Sequence, residues 1–201
     1  LDSSHFDNIK ERRSYHIELL ENRLSDNTNQ SKLAQFKDTI LDDSNFIRIG
    51  SGSLGGKARG MAFLNENIYN KELKQKFPSI KIKIPKTIVL STEEFDIFMK
   101  KNNLWSIALN CNDNDTLIQY FLKAKLSREV IKSLKIFLSK NIKPLAVRSS
   151  GLLEDSQYQS LAGMYSTFML PNSSKNNKER LSQVCEAIKR IYASTFFTGP
   201  T

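Results

Sequence analysis

The sequence predicts a mixed α/β (α+β) domain, and three observations support that prediction. Short apolar runs at residues 46–49, 87–90 and 145–147 have the length and composition of buried strands. Longer segments, such as residues 104–141, repeat apolar residues at helical spacing. Two of the strands run into polar loops, and open α/β sheets hold their ligands where strands end. We therefore expect a ligand-binding side built from loops that follow strands.

The charge balance allows an anionic partner but does not name one. Lysine and arginine number 30 against 21 acidic residues, which gives a formal net charge of +9. The basic residues are spread along the chain, and no aromatic platform accompanies the densest basic run at 71–86, so nucleic acid is not the expected partner. No apolar run in the sequence is long enough to span a membrane. Cys111 and Cys185 have no motif spacing and fit thiols in a reducing cytoplasm.

Residues 1–45 predict a helical extension that precedes a main domain at 46–201. Apolar residues recur at helical spacing in the first part of this extension, and a second short helix follows a polar break. His5 and His16 are the two histidines of the sequence, and neither has a constellation that would make it catalytic. The chain has no initiator methionine and stops soon after its last helical pattern, so we expect a fragment of a longer polypeptide.

The glycine loop, residues 50–57 (GSGSLGGK), lies between the first strand and a helical pattern. A strand, a glycine loop and a helix start in this order gather backbone N–H groups and the positive helix end around an anion, and Lys57 adds a full positive charge. The Walker pattern fails because Ser51 stands where it needs glycine and Ala58 follows the lysine. The loop also fits the loose GxGxxG spacing, which is weak on its own. A flexible loop before a capped helix is the alternative.

The middle of the main domain predicts strands followed by helices. Isoleucines alternate with lysines over 80–84, as in a half-buried strand, and the run at 87–90 suits a fully buried one. Residues 91–94 (STEE) have the capping-box pattern of a helix start, and Ser127 is placed to cap a later helix. We expect this helical region to support the fold, because it carries no chemical constellation of its own.

The second polar loop begins with the arginine–serine segment, residues 148–151 (RSSG), at the end of the third strand. Arginine offers a planar fork of donors matched to phosphate oxygens, and the serines add hydroxyl and backbone donors. A polar connection with Glu154 and Asp155 leads to Gly163, where backbone can approach a ligand closely, and then to another strand. The alternative is a surface hairpin whose arginine and serines are merely solvated.

Taken together, three segments resemble the N-terminal ATP-binding part of the phosphoenolpyruvate synthase and pyruvate phosphate dikinase family, whose members are ATP-grasp enzymes. The first segment is the Leu-Gly-Gly-Lys sequence of the glycine loop. The second is Ile84-Pro85 with the strand that follows and Thr92. The third and most specific is the long arginine–serine–serine signature, which runs from Val147 to Phe168. The match covers nearly all of the main domain.

The resemblance implies ATP as the ligand and nucleotide contacts on both loops. Lys57 and Arg148 would hold the ATP phosphates. The two serines after Arg148, together with Gly163 and Thr167, would form or support the loop that closes over them. Whether Glu154 touches nucleotide or braces that loop stays open. The expected cofactor-binding set is Gly55, Gly56, Lys57, Arg148, Ser149, Ser150, Glu154, Gly163 and Thr167.

The resemblance also implies an ATP-dependent phosphotransferase of which this chain carries one part. Such an enzyme passes phosphate from ATP to a histidine on a swivelling domain, and the histidine passes it to pyruvate or another acceptor on a further domain. The acidic magnesium ligands would also lie elsewhere in the longer chain, so we expect no complete catalytic set and no metal site here, and no activity from this fragment alone. A cytoplasmic protein is expected. The alternatives are a non-catalytic nucleotide-sensing or docking module and, ranked last, a basic nucleic-acid binder.

Overall fold

The computed structural model describes residues 46–68, 75–80, 84–151 and 165–197. All of them belong to one compact unit of the chain. The predicted helical extension at 1–45 lies outside these residues, so the division into two domains stays a prediction. Glu154 and Gly163 of the predicted site, and Asp155 of the polar connection, also lie outside them.

The described residues form six helices and four strands, which confirms the predicted mixed α/β class. The strands are β1 (Phe46–Ile49), β2 (Thr87–Leu90), β3 (Leu145–Arg148) and β4 (Thr167–Leu170). The helices are α1 (Gly56–Ile68), α2 (Thr92–Lys101), α3 (Leu104–Asn110), α4 (Asn114–Lys123), α5 (Arg128–Lys140) and α6 (Asn177–Ser194). Of the predicted strand over 80–84, Ile80 and Ile84 lie in irregular chain and 81–83 lie outside the described residues.

The first two strands form a parallel pair. Phe46 lies opposite Thr87 and Ile49 lies opposite Leu90, so β1 and β2 end at the same edge. Parallel strands need a crossover, and α1 lies within the connection between them. The glycine loop after β1 and the start of α2 after β2 therefore meet beyond one sheet edge, where α/β folds hold their ligands.

The last two strands form an antiparallel pair. Leu145 lies opposite Leu170 at one end of this ladder, and Arg148 lies opposite Thr167 at the other. Residues directly opposite each other share a face of the sheet. Both strands alternate between half-buried and exposed positions, and Arg148 and Thr167 are exposed. These two residues therefore stand side by side on the outer face.

The main core cluster contains buried side chains from β1, α5 and α6. Helix α5 buries Val130, Leu134, Phe137 and Leu138, whose spacing makes one continuous apolar stripe. The Ser127 hydroxyl caps α5 by accepting a hydrogen bond from the Val130 amide at 3.1 Å, which confirms the predicted cap. The central part of the fold is thus built as the sequence pattern indicates.

A smaller buried cluster lies directly beneath the glycine loop and α1. Its members come from both parallel strands, the loop and the helix, and they are Phe46, Leu54, Ala58, Ala62 and Val89. Leu54 is 8% exposed. Full burial of a leucine side chain contributes about 1.5–3 kcal/mol, so this residue fastens the loop to the core. Small alanines on the inner side of α1 let the helix lie close to the strands.

Candidate functional site

The Ser150 hydroxyl connects the arginine–serine segment to the glycine loop. It donates a hydrogen bond to the Leu54 carbonyl at 3.0 Å and accepts one from the Ala58 amide at 2.9 Å. Because Ala58 is the third residue of α1, Ser150 satisfies one of the helix's free N-terminal donors from a segment 92 residues away in sequence. We call this group of contacts the Ser150 joint. It brings two of the three segments that carry the family resemblance into direct contact.

Gly55 allows the close approach on which the joint depends. Its φ angle is +75°, and a Cβ atom placed there would lie 1.5 Å from the Ser150 carbonyl oxygen. That distance is an atomic collision with backbone, which cannot rotate away as a side chain can. The conformation is also one that residues with a side chain rarely adopt. Glycine is therefore the residue that this position requires.

The joint fixes the backbone positions from which the side chains of Lys57 and Arg148 extend. Lys57 is the second residue of α1 and is half-buried, whereas Arg148 ends β3 two residues before Ser150 and is exposed. The backbone of both residues thus lies beside the joint, at the positive end of a 13-residue helix. That both side chains reach the same anion stays a prediction.

The other described members of the predicted set surround this point. Gly56 is the first residue of α1, and Thr167 lies opposite Arg148 in the β3–β4 ladder. The Ser149 hydroxyl accepts a hydrogen bond from the Gly151 amide at 3.1 Å, which shapes the turn after β3. The two loops of the sequence prediction are thus neighbours, as the prediction of a shared ligand side requires.

The first half of the glycine loop is fastened to the start of α2. The amide and the hydroxyl of Ser51 both donate to a carboxylate oxygen of Glu93, each at 2.6 Å. The Ser53 amide donates to the Thr92 hydroxyl at 3.0 Å, and the Thr92 amide returns a bond of 3.0 Å to the Ser53 carbonyl. In this conformation the Ser51 and Ser53 amides are bound to protein acceptors.

The predicted capping box at 91–94 forms differently from its sequence pattern. Ser91 is the N-cap residue of α2, but its side chain makes no capping hydrogen bond and its buried hydroxyl has no partner among the described residues. Glu94 is buried and accepts a hydrogen bond from the Ser127 hydroxyl at 2.7 Å. The side chains of this helix start thus bind the glycine loop and α5, because tertiary partners replace the local ones.

Basic side chains lie around the fastened loop. Hydrogen bonds from the Ser51 hydroxyl and amide hold the pKa of Glu93 below its ordinary value, and the charge of Arg48 lowers that pKa further. Arg59, on the first turn of α1, donates from its guanidinium to the Ser53 hydroxyl at 2.9 Å. Sequence reasoning missed both Glu93 and Arg59. Glu93 was recognisable as the glutamate that the capping box does not use, whereas Arg59 gave no sequence signal.

Within the described ranges, no group of three or more His, Cys, Asp or Glu side chains could hold a metal ion. In the same part of the chain, no helix has the length and apolar character needed to cross a bilayer. The expectation that magnesium ligands lie elsewhere in a longer protein stays a prediction.

The fold and the joint define a mixed α/β domain in which two polar loops meet at one helix end. The family model described as pyruvate phosphate dikinase, AMP/ATP-binding domain, matches residues 51–200, which is most of the chain. The chain therefore belongs to this family and is an ATP-binding part of a pyruvate phosphate dikinase-like phosphotransferase. Searches of curated proteins and of solved structures found no significant match.

Proposed function

We propose that the intact protein transfers a phosphoryl group from ATP to a histidine on another domain, which then passes it to pyruvate or another acceptor. Membership of the pyruvate phosphate dikinase ATP-binding family supports the ATP-dependent step. The observation that carries the proposal is the Ser150 joint, because it places the glycine–glycine–lysine and arginine–serine–serine segments at one helix end. A histidine on a separate swivelling domain of the longer chain is proposed to accept the phosphoryl group.

The proposed nucleotide contacts follow from the charge that phosphoryl transfer must neutralise. Phosphoryl transfer depends on positioning and on electrostatic stabilisation of the phosphate oxygens. Lys57 and Arg148 supply two positive charges, and Gly55 and Gly56 bring backbone close to the phosphates at the positive end of α1. Ser149, Ser150 and Thr167 shape the surrounding loop and ladder. Glu154 and Gly163 are proposed to complete the set.

Magnesium is proposed to be held by acidic residues of the remaining polypeptide. In an ATP-grasp arrangement, a second subdomain carries those ligands and encloses the nucleotide from the other side. Mg²⁺ prefers octahedral oxygen coordination and usually binds through one or two carboxylates together with substrate phosphates. The domain described above would then supply the phosphate contacts, in a cytoplasmic enzyme.

Phosphoryl labelling of the full-length protein tests the proposal. Incubation with ATP carrying radioactive β- and γ-phosphates should label a histidine in the wild-type protein. Lys57→Ala and Arg148→Ala should each remove about 2–4 kcal/mol of transition-state stabilisation, and labelling should fall accordingly. Lys101→Ala and Arg128→Ala are matched controls, because both side chains are exposed on other elements.

The pattern of results separates the enzyme from the alternative functions. Undiminished labelling in both Lys57→Ala and Arg148→Ala contradicts the proposed phosphate contacts. Saturable ATP binding by a wild-type protein that never becomes labelled contradicts the phosphotransfer step and supports a nucleotide-sensing module. Steeply salt-dependent binding to RNA or DNA, with no ATP binding, would indicate the nucleic-acid alternative instead.

A further inference from the structure

Arg180, on the first turn of α6, is a buried cation whose hydrogen-bond partners are all neutral. Its side chain is 4% exposed. The guanidinium donates to the Asn141 carbonyl at 2.9 Å, to the Asn172 side-chain oxygen at 3.3 Å and to the side-chain oxygen of Asn177. Among the described residues no carboxylate pairs with it, and its Nε atom has no acceptor. Burying a charge without a counter-charge is costly, so an anion bound nearby would stabilise Arg180.

A cavity of about 460 Å³ adjoins this arginine. Its lining residues come from the turn before β3, the loop after β4 and the start of α6, and they are Ile142, Asn172, Ser173, Ser174, Lys175 and Arg180. Lys175 is exposed, just before the N-cap of an 18-residue helix whose positive end faces the same region. The cavity opens broadly to solvent, and its volume exceeds what a bare phosphate ion needs.

One carboxylate works against an anion at this position. The Ser174 hydroxyl donates to Glu179 at 2.7 Å, so that hydroxyl is engaged and a negative charge stands nearby. Glu179 is exposed and its field is screened by solvent, whereas the charge of Arg180 is buried and is screened much less. Together with Lys175 and the helix end, Arg180 leaves the cavity favourable to negative charge.

The cavity is separate from the candidate nucleotide site. Ile142 lies three residues before β3 and Asn172 lies two residues after β4, at the Leu145–Leu170 end of the ladder. Arg148 and Thr167 mark the opposite end. A four-residue ladder spans about 10 Å at 3.3 Å per residue, so one small ligand does not occupy both places.

We propose that this cavity is a second anion site, which binds a phosphate group either as free phosphate or as the phosphoryl end of a small molecule. The buried positive charge of Arg180, the exposed ammonium of Lys175 and the positive helix end suit a doubly charged tetrahedral oxyanion. The apolar side chain of Ile142 and the spare volume suit a small organic group attached to it.

Equilibrium dialysis of the full-length protein tests this proposal. A background variant with both Lys57→Ala and Arg148→Ala removes the charges proposed for the nucleotide site. In that background, radioactive inorganic phosphate should still bind saturably. Phenyl phosphate, added as competitor, should displace it at lower concentration than unlabelled phosphate if the natural ligand carries an organic group. Equal or weaker displacement would assign the site to free phosphate.

Two lysine-to-glutamate substitutions, one at the cavity and one outside it, compare the effect of charge reversal on phosphate binding. Lys175→Glu should weaken phosphate binding about tenfold, because it replaces an attractive charge with a repulsive one. Lys178→Glu should change it less than about twofold, since Lys178 is exposed on the first turn of α6 but does not line the cavity. Arg180→Gln should abolish binding, and the lysine pair decides the question if that variant does not fold.

Two results would overturn the second site. No saturable phosphate binding in the Lys57→Ala and Arg148→Ala background would do so, as would equal effects of the two lysine reversals. Arg180 would then be a structural link between the turn before β3 and α6. Either result leaves the ATP-dependent labelling of the proposed function untouched, so the two proposals fail independently.

Discussion

The two halves of the glycine loop differ in what their polar groups bind. In the first half, Ser51 and Ser53 form hydrogen bonds to Glu93 and Thr92 at the start of α2. In the second half, the Leu54 carbonyl and the Ala58 amide at the start of α1 are joined to Ser150. One half is thus fixed to the neighbouring helix, and the other is fixed to the segment that carries Arg148.

This difference assigns a supporting role to the first half of the glycine loop and ligand contact to the second half. The Ser51 amide and hydroxyl already donate to the Glu93 carboxylate. They can bind a phosphate oxygen only if that carboxylate is displaced. The positive end of α1 lies in the second half, beside Lys57, so an anion is best accommodated there. The first half would hold the second half in position. Three substitutions test this division.

Gly55→Ala should have the largest effect. The new Cβ would lie 1.5 Å from the Ser150 carbonyl oxygen, and the φ angle of +75° adds backbone strain. The combination should lower the free energy of unfolding by about 3 kcal/mol or more and abolish ATP binding. Urea unfolding and calorimetric titration with ATP measure these quantities.

Gly60→Ala is the matched control for that substitution. Gly60 lies in α1 with no atom within 4 Å of a Cβ placed there. Alanine favours the helix interior by about 1 kcal/mol over glycine, so this variant should be as stable as wild type or slightly more stable. Equal stability of the Gly55→Ala and Gly60→Ala variants would mean that the close approach at Ser150 does not exist.

Ser150→Ala should have an intermediate effect. It removes a tertiary cap of α1 and leaves the Leu54 carbonyl and the Ala58 amide without that partner, which should cost about 1–2 kcal/mol of stability. ATP affinity should fall with it, because the two phosphate-binding segments lose their link. Ser139→Ala, which removes an exposed hydroxyl bonded within α5, should change neither quantity measurably. Unchanged ATP affinity in Ser150→Ala would separate the joint from ligand binding.

Glu93→Gln should have the smallest effect, and that effect should depend on pH. Hydrogen bonds from Ser51 and the charge of Arg48 hold the folded-state pKa of Glu93 below its ordinary value of 4.5. A carboxylate with a depressed pKa contributes stability that is present above the ordinary value and is lost as pH falls through the folded value. The urea midpoint difference between wild type and Glu93→Gln should therefore shrink on acidification below pH 4.5.

ATP affinity distinguishes the two halves in that same variant. If the first half is scaffold, Glu93→Gln should leave ATP affinity at neutral pH within about twofold of wild type, since the amide keeps the shape of the carboxylate. Asp96→Asn, an exposed change on the same helix, controls for the lost charge. A large gain in ATP affinity would instead show that Glu93 competes with phosphate for the loop donors.

Local patterns in the sequence predict most of the helices and strands. Sequence patterns predict the strand at 46–49, the glycine loop and the helix after it, because the conformation of each depends on residues close together in the chain. The Ser127 cap was predictable for the same reason. The hydrogen bonds of the 91–94 stretch were not, because Ser51 lies 42 residues from Glu93 and no local pattern contains such a partner.

The role of Ser150 shows the same limit. Resemblance to the family placed it in or beside the phosphate-binding loop, but its bonds to Leu54 and Ala58 come from tertiary packing. The burial of Arg180 is likewise not predictable from the sequence, because a charged residue at a polar helix start is normally exposed. Long-range polar partners are the part of the site that the sequence alone does not supply.

A crystal structure of the full-length protein with a non-hydrolysable ATP analogue tests the central claim most directly. We expect phosphate oxygens within about 3 Å of both the Lys57 ammonium and the Arg148 guanidinium, with the Ser150 joint intact. An analogue bound elsewhere, or bound with these two cationic groups on opposite sides of the domain, would contradict the account.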